Sequence, residues 1–157
     1  MNYKIHIDNR NYETWQLYNI KTMEKIEKNV SPIKEKLFHN DIFTFDMSNV
    51  KILESSIRKS KIAGVLVLKN NKTFGKFKNK YLYKCIPDDK SIPEFLIPYK
   101  PYIKFLKNQV NKYIVFRFIH WNNKHPRGQI QQTIGDVTEL SCFYEYQIYC
   151  KNLYHSI

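Results

Sequence analysis

The sequence predicts a mostly β protein. A five-stranded β-barrel occupies residues 58–137, a small α+β unit precedes it at 1–57, and a helix follows at 138–157. Three observations predict this. Short runs of alternating apolar and polar residues recur between 61 and 135, broken by polar turns every 8–12 residues. After Gly135 the apolar spacing changes to that of a helix. The chain is 157 residues long and 43% hydrophobic, with only four glycines and six prolines. It can therefore bury a core, and it lacks the composition of a disordered segment.

In the N-terminal unit, "YKIHI" (3–7) alternates as a strand, and "NYETWQLYN" (11–19) holds a second, shorter one. "KTMEKIEKNV" (21–30) is rich in Lys and Glu, with Met23, Ile26 and Val30 at helical spacing, so a helix is expected there, ended by Ser31-Pro32. "DIFTFDM" (41–47) and "VKILESSI" (50–57) read as two more strands.

The barrel signal starts at Lys61. Ile62–Leu68 is apolar on both faces, as a barrel strand should be. Asn70-Asn71 forms a tight turn, because Asn tolerates positive φ. Thr73–Phe77 is the next strand, and its Gly75 marks a bulge or corner. Lys78-Asn79-Lys80 turns the chain into a third strand, Tyr81–Ile86. The four prolines of "PDDKSIPEFLIPYKP" (87–101) limit regular structure and suggest an extended segment crossing the barrel. "YIKFLKNQV" (102–110) fits one helical turn or a loop. Tyr113–Trp121 and Gln129–Ile134 complete five strands, the count of an OB fold. Val137, Leu140, Phe143 or Tyr144, Ile148 and Leu153 then mark a helix over 138–153, capped by Asp136 or Thr138 with Glu139 at its positive end.

Charge is distributed unevenly. The whole chain has 26 Lys and Arg against 14 acids, a net charge of +12. Between Arg58 and Arg127 lie 17 of those cations and 3 of the acids, so this segment alone holds +14 and the remainder −2. Codon bias would raise lysine everywhere; it would not empty one segment of acids. A polyanionic partner is indicated, with nucleic acid first. No apolar stretch is long enough to span a membrane, and the start lacks the apolar core of a secretory signal. Cys85, Cys142 and Cys150 are odd in number and lack CxxC spacing. That suits a reducing, intracellular compartment: cytoplasm, nucleus or virion. The five histidines are scattered, so neither a metal site nor a cofactor is expected.

A nucleic-acid-binding barrel uses a positive groove for phosphates and aromatic faces for bases. "TFGKFKNKYLYK" with the preceding lysine supplies both: Phe74, Phe77, Tyr81 and Tyr83 are interleaved with Lys72, Lys76, Lys78, Lys80 and Lys84. Period-two alternation puts Phe74 and Lys76 on one face, with Thr73, Gly75 and Phe77 on the other. About half of these aromatics must fill the barrel. Trp121 either anchors the barrel end or shows a face to RNA beside Lys124, His125 and Arg127. His120 and His125 flank the same turn without the spacing of an acid–base pair, and no P-loop or nucleophile motif is present.

Over 61–137 the chain resembles the second cold-shock (OB) domain of the ribonuclease II family, which includes the catalytic subunit of the eukaryotic exosome. The matching pieces, in the family's order, are "AGVLVL" (63–68), "TFGKF" (73–77), "YKCIPDDKSIPEFLIPY" (83–99), "NKYIVFRFIHW" (111–121) and "HPRGQIQQTIG" (125–135). "KLFHNDIF" (36–43) resembles the end of the family's first cold-shock domain, which makes the N-terminal unit a shortened OB-like domain. The helix at 138–153 resembles the family's linker to its catalytic domain. The resemblance implies RNA handling: guidance of single-stranded RNA in the manner of a 3′–5′ exoribonuclease. It does not carry over catalysis, because the family's magnesium-holding aspartates lie in a catalytic domain outside these 157 residues, and Asp88 and Asp89 belong to the barrel. A separate catalytic or partner protein is expected. The rival readings are a basic packaging protein, viral in one version, and a protein-interaction module.

Overall fold

The computed structural model describes residues 1–47, 49–100 and 109–155. Its contacts divide the chain into two compact units, Met1–Ser60 with Lys90–Pro93, and Lys61–Asp89 with Glu94–Ile157.

The N-terminal unit is built on strands β1 (Asn2–Ile7), β2 (Trp15–Asn19) and β3 (Lys25–Ile26), then α1 (Pro32–Glu35), β4 (Ile42–Asp46), β5 (Asn49–Glu54) and α2 (Ser56–Lys59). The strands form one antiparallel sheet in the order β3-β2-β1-β4-β5. Alternation decides β1: Tyr3, Ile5 and Ile7 are buried, with Lys4 and His6 between them turned away from the core.

The helix expected over 21–30 does not form; the segment is a hairpin. Asn19 nucleates the turn, its Oδ1 accepting from the Lys21 N–H at 2.9 Å while its carbonyl accepts from Met23 at 2.7 Å. Met23 takes φ 59° and is exposed. Leu17 then pairs with Ile26, and Tyr18 with Lys25. Three apolar residues in ten give a helix little to bury, and so short a helix is marginal without packing. Strand pairing against β2 wins. Ser31-Pro32 accordingly begins a helix rather than ending one: Ser31 Oγ caps α1 by accepting from Lys34 N–H, with Pro32 in the first turn.

A polar knot pins the loop before β4. Asp41 is fully buried and its Oδ2 accepts from Arg58 at 2.9 Å and from the Phe38 N–H at 2.8 Å. Arg58 also donates to the Lys36 carbonyl at 2.6 Å and lies over the Phe38 ring, 4.9 Å from its centre. Burial pushes the Asp41 carboxyl up from its ordinary value, and its hydrogen bonds and Arg58 offset that rise only in part.

The second unit contains β6 (Lys61–Leu66), β7 (Lys76–Phe77), β8 (Lys80–Pro87), β9 (Phe95–Tyr99), β10 (Lys112–His120), β11 (Arg127–Asp136) and α3 (Leu140–His155). Strands β6-β10-β11-β9-β8 pair in sequence, and β8 pairs back onto β6, so the barrel closes. Among the described residues, only β9 with β11 pairs in parallel. In chain order around the ring this is first, fourth, fifth, third, second, which is OB-fold topology. Five strands were expected and five close the barrel, but the membership differs. The strand expected at Thr73–Phe77 contributes only the two-residue β7, which hangs outside the ring on β8. The proline-rich segment instead supplies β9. Pro98 is tolerated there because β9 meets β11 at a single pair, Leu96 with Arg127, and Pro98 lies beyond it. The reading of 102–108 falls outside the described residues.

Glycine makes the closing seam possible. A Cβ on Gly64 would stand 2.8 Å from Cys85 Sγ and 2.9 Å from the Ile86 carbonyl oxygen, across the β6–β8 pairing. Inside the barrel, Leu66, Cys85, Phe95, Ile97, Ile114 and Phe116 are fully buried, with Phe95 edge-on to Phe116 at 4.9 Å.

The outer face of β6 and β10 is covered by α3. Ala63, Tyr113, Cys142, Tyr146 and Cys150 form one buried cluster, with Tyr113 stacked on Tyr146 at 4.3 Å. This explains why β6 is apolar on both faces. The helix itself forms as expected, but with the opposite face inward. Leu140, Phe143, Tyr144 and Ile148 are exposed, while Cys142, Tyr146 and Cys150, spaced by four, pack on the strands. Asp136 does not serve as its cap: its Oδ1 accepts from Lys112 Nζ at 2.6 Å.

Candidate nucleic-acid interface

OB barrels present ligands to the face of their second and third strands, between the loop joining strands one and two and the loop joining strands four and five. Here those are β8 and β9, residues 67–79, and residues 121–126. Both loops belong to the most basic part of the sequence.

Register assigns the faces. Lys84 lies opposite Leu96 on β9, and Leu96 lies opposite Arg127 on β11, so these three form one row across the sheet. Cys85 and Tyr83 are buried on the other face, so the Lys84 row points outward. Phe77 pairs with Lys80, which shares the Lys84 face. Two ring contacts complete the platform: Lys84 Nζ stands 4.9 Å from the Phe74 ring centre, and the Arg127 guanidinium carbon 4.9 Å from that of Phe77. Lys72 and Lys78 add further cations, 5.4 Å from the Phe74 and Phe77 rings respectively.

Phe74 and Phe77 therefore share one face, which simple alternation does not allow. Gly75 is the reason. It takes φ +116°, and the two backbone bonds to Leu82, from the Phe74 side and the Gly75 side, straddle an irregular step in the ladder. Parity is reset between 74 and 76. Lys76 goes to the other face, opposite Tyr81, with its Nζ 5.2 Å from that ring. Tyr81 is 43% exposed, at the open end of the row that runs into the barrel.

Two expected contacts are corrected by burial. Tyr83 is 3% and Trp121 6% exposed, so neither offers a ring face to a base. Tyr83 continues the barrel's inward row and sits edge-on to Tyr99 at 6.2 Å. Trp121 is buried just beyond β10. Lys80 and Lys124 are exposed at the two loops. Lys72, Lys76, Lys78, Lys80, Lys124 and Arg127 meet no carboxylate among the described residues. Lys84 does, at 3.8 Å from Glu94 Oε1.

Glu94 and Leu96 were not picked out from sequence, whereas His125 was noted there beside Lys124 and Arg127. Leu96 and Glu94 came with β9, whose buried Phe95 and Ile97 flank Leu96 in the alternation that a strand requires. His125 lies beside the platform. Burial lowers its pKa from the ordinary value, and Lys84 and Lys124 lower it further, so the neutral imidazole is favoured. Among the described residues no cluster of three or more potential metal ligands occurs.

No curated protein matches the chain. Residues 82–144, from Leu82 in β8 to Tyr144 in α3, match the family model of Dis3-like cold-shock domain 2 (CSD2), which with the strand order makes the barrel an OB-fold nucleic-acid-binding module.

Proposed function

We propose that the barrel binds single-stranded RNA with little sequence preference, as a guiding surface rather than a catalytic one. The observation that carries this is the outward platform of Phe74 and Phe77 with Lys84 and Arg127, set between two basic loops. Phe77 is 40% exposed, which suits stacking on an unpaired base and not on one held inside a duplex. The cations around the rings suit phosphates, whose contacts carry no sequence information. The preference for RNA draws on the cold-shock family match over 82–144.

Titration of the full chain with a labelled single-stranded RNA, a DNA of the same sequence and an RNA duplex tests the reading. Tightest binding is expected for the single-stranded RNA, with log K falling by about 0.7 per phosphate contact for each decade of salt. Equal binding of the duplex would favour the packaging reading. No binding at low salt would overturn the proposal.

A further inference from the structure

We propose that Arg127 is a latch: in the free protein its guanidinium rests on Phe77, and on binding it transfers to a phosphate and leaves that ring face to a base. The inference rests on the RNA-binding reading above and adds a positioning role for one residue pair.

The two loops bordering the platform come from distant parts of the sequence, residues 67–79 and 121–126. The β7–β8 hairpin stands outside the barrel ring, held to β8 by the pairs Lys76 with Tyr81 and Phe77 with Lys80 and by the two backbone bonds of Leu82 to Phe74 and Gly75. Its turn residue Lys78 takes φ 57°. Arg127 begins β11, directly after the loop at 121–126. The Arg127–Phe77 contact at 4.9 Å therefore joins the hairpin to the neighbouring loop. Arg127 meets no carboxylate among the described residues, so the ring is its alternative to water. A cation over an exposed ring is held weakly, whereas a guanidinium on a phosphate makes a charge-assisted, two-pronged bond. Only arginine combines the planar stack with that fork. An arriving strand thus offers Arg127 a better partner and, by the same movement, uncovers Phe77.

The exchange has a thermodynamic signature. Wild-type binding gains a phosphate contact and a stack but loses the latch. Arg127→Ala loses only the phosphate contact, because no guanidinium has to leave the ring, and the Lys78 contact at 5.4 Å is left as it is. Phe77→Ala likewise loses only the stack. The double variant loses both contacts and has no latch loss to offset. Its affinity for fluorescein-labelled oligouridylate should fall about two- to five-fold further than the product of the two single losses, the factor expected from one exposed cation–π contact. Phe77→Leu in place of alanine, with thermal melts, controls for hairpin integrity. In the free protein, Arg127→Ala should shift the Phe77 ring proton resonances, and saturating wild type with oligouridylate should shift them too. A double variant equal to the product, or less damaging than it, overturns the latch while leaving RNA binding standing. Loss of all oligouridylate binding by wild type overturns both.

Discussion

The two units place arginine against phenylalanine in the same way and to opposite ends. In the N-terminal unit, Arg58 lies 4.9 Å over Phe38 and also holds the buried Asp41 at 2.9 Å. Its charge is neutralised inside the fold, and the result is a fixed loop. In the barrel, Arg127 lies 4.9 Å over Phe77, but no carboxylate meets it among the described residues, and the ring is 40% exposed. The same contact is structural in one unit and available to a ligand in the other. What distinguishes them is the third partner, a buried carboxylate that only Asp41 provides.

Removing one side of each arrangement should separate these roles. The largest effect is expected for Arg58→Ala. It leaves the Asp41 carboxylate buried and without its ion partner, at a cost of about 3–5 kcal/mol in unfolding free energy, read by denaturant titration. A loss near zero would show that the knot is not structural. Phe74→Ala, which removes a half-buried ring, should instead cost clearly less stability than Arg58→Ala and weaken single-stranded RNA binding by about 1–3 kcal/mol. Equal stability loss in both variants would erase the contrast.

The smallest effect concerns His125. Its folded pKa lies below the ordinary histidine value, chiefly through burial. The unfolded chain therefore takes up the proton first, and stability should be full above about pH 6.5 and decline as pH falls below it. Bound phosphate would favour the protonated ring. RNA affinity should accordingly rise modestly between pH 7.5 and 5.5, and His125→Ala should flatten that rise.

Much of the barrel was legible because its strands obey local rules. Asn70 and Asn71 adopt φ 69° and 54°, the positive values for which the Asn pair was read as a turn. Lys61–Leu66, Lys80–Pro87, Lys112–His120 and Arg127–Asp136 follow the alternating runs closely. What escaped was decided by neighbours. Lys25–Ile26 became a strand because β2 was there to pair with it. Phe95–Tyr99 became a strand because β8 and β11 lie on either side, in spite of Pro98. The inward face of α3 is marked by two cysteines and a tyrosine, which hydropathy ranks below the leucine and isoleucine left exposed.

The candidate site divides along the same line. The sequence by itself determined that cations and aromatics would crowd residues 72–84 and that acids would be scarce there. It also determined, through Gly75, that the strand would be irregular. Tertiary structure decided which rings face outward. Strand faces alternate by single residues, so one irregular step at Gly75 reverses the assignment of Lys76 and Phe77 and brings Phe74 and Phe77 together. Closure of the ring then set Lys84, Leu96 and Arg127 in one row, from positions that no local pattern relates.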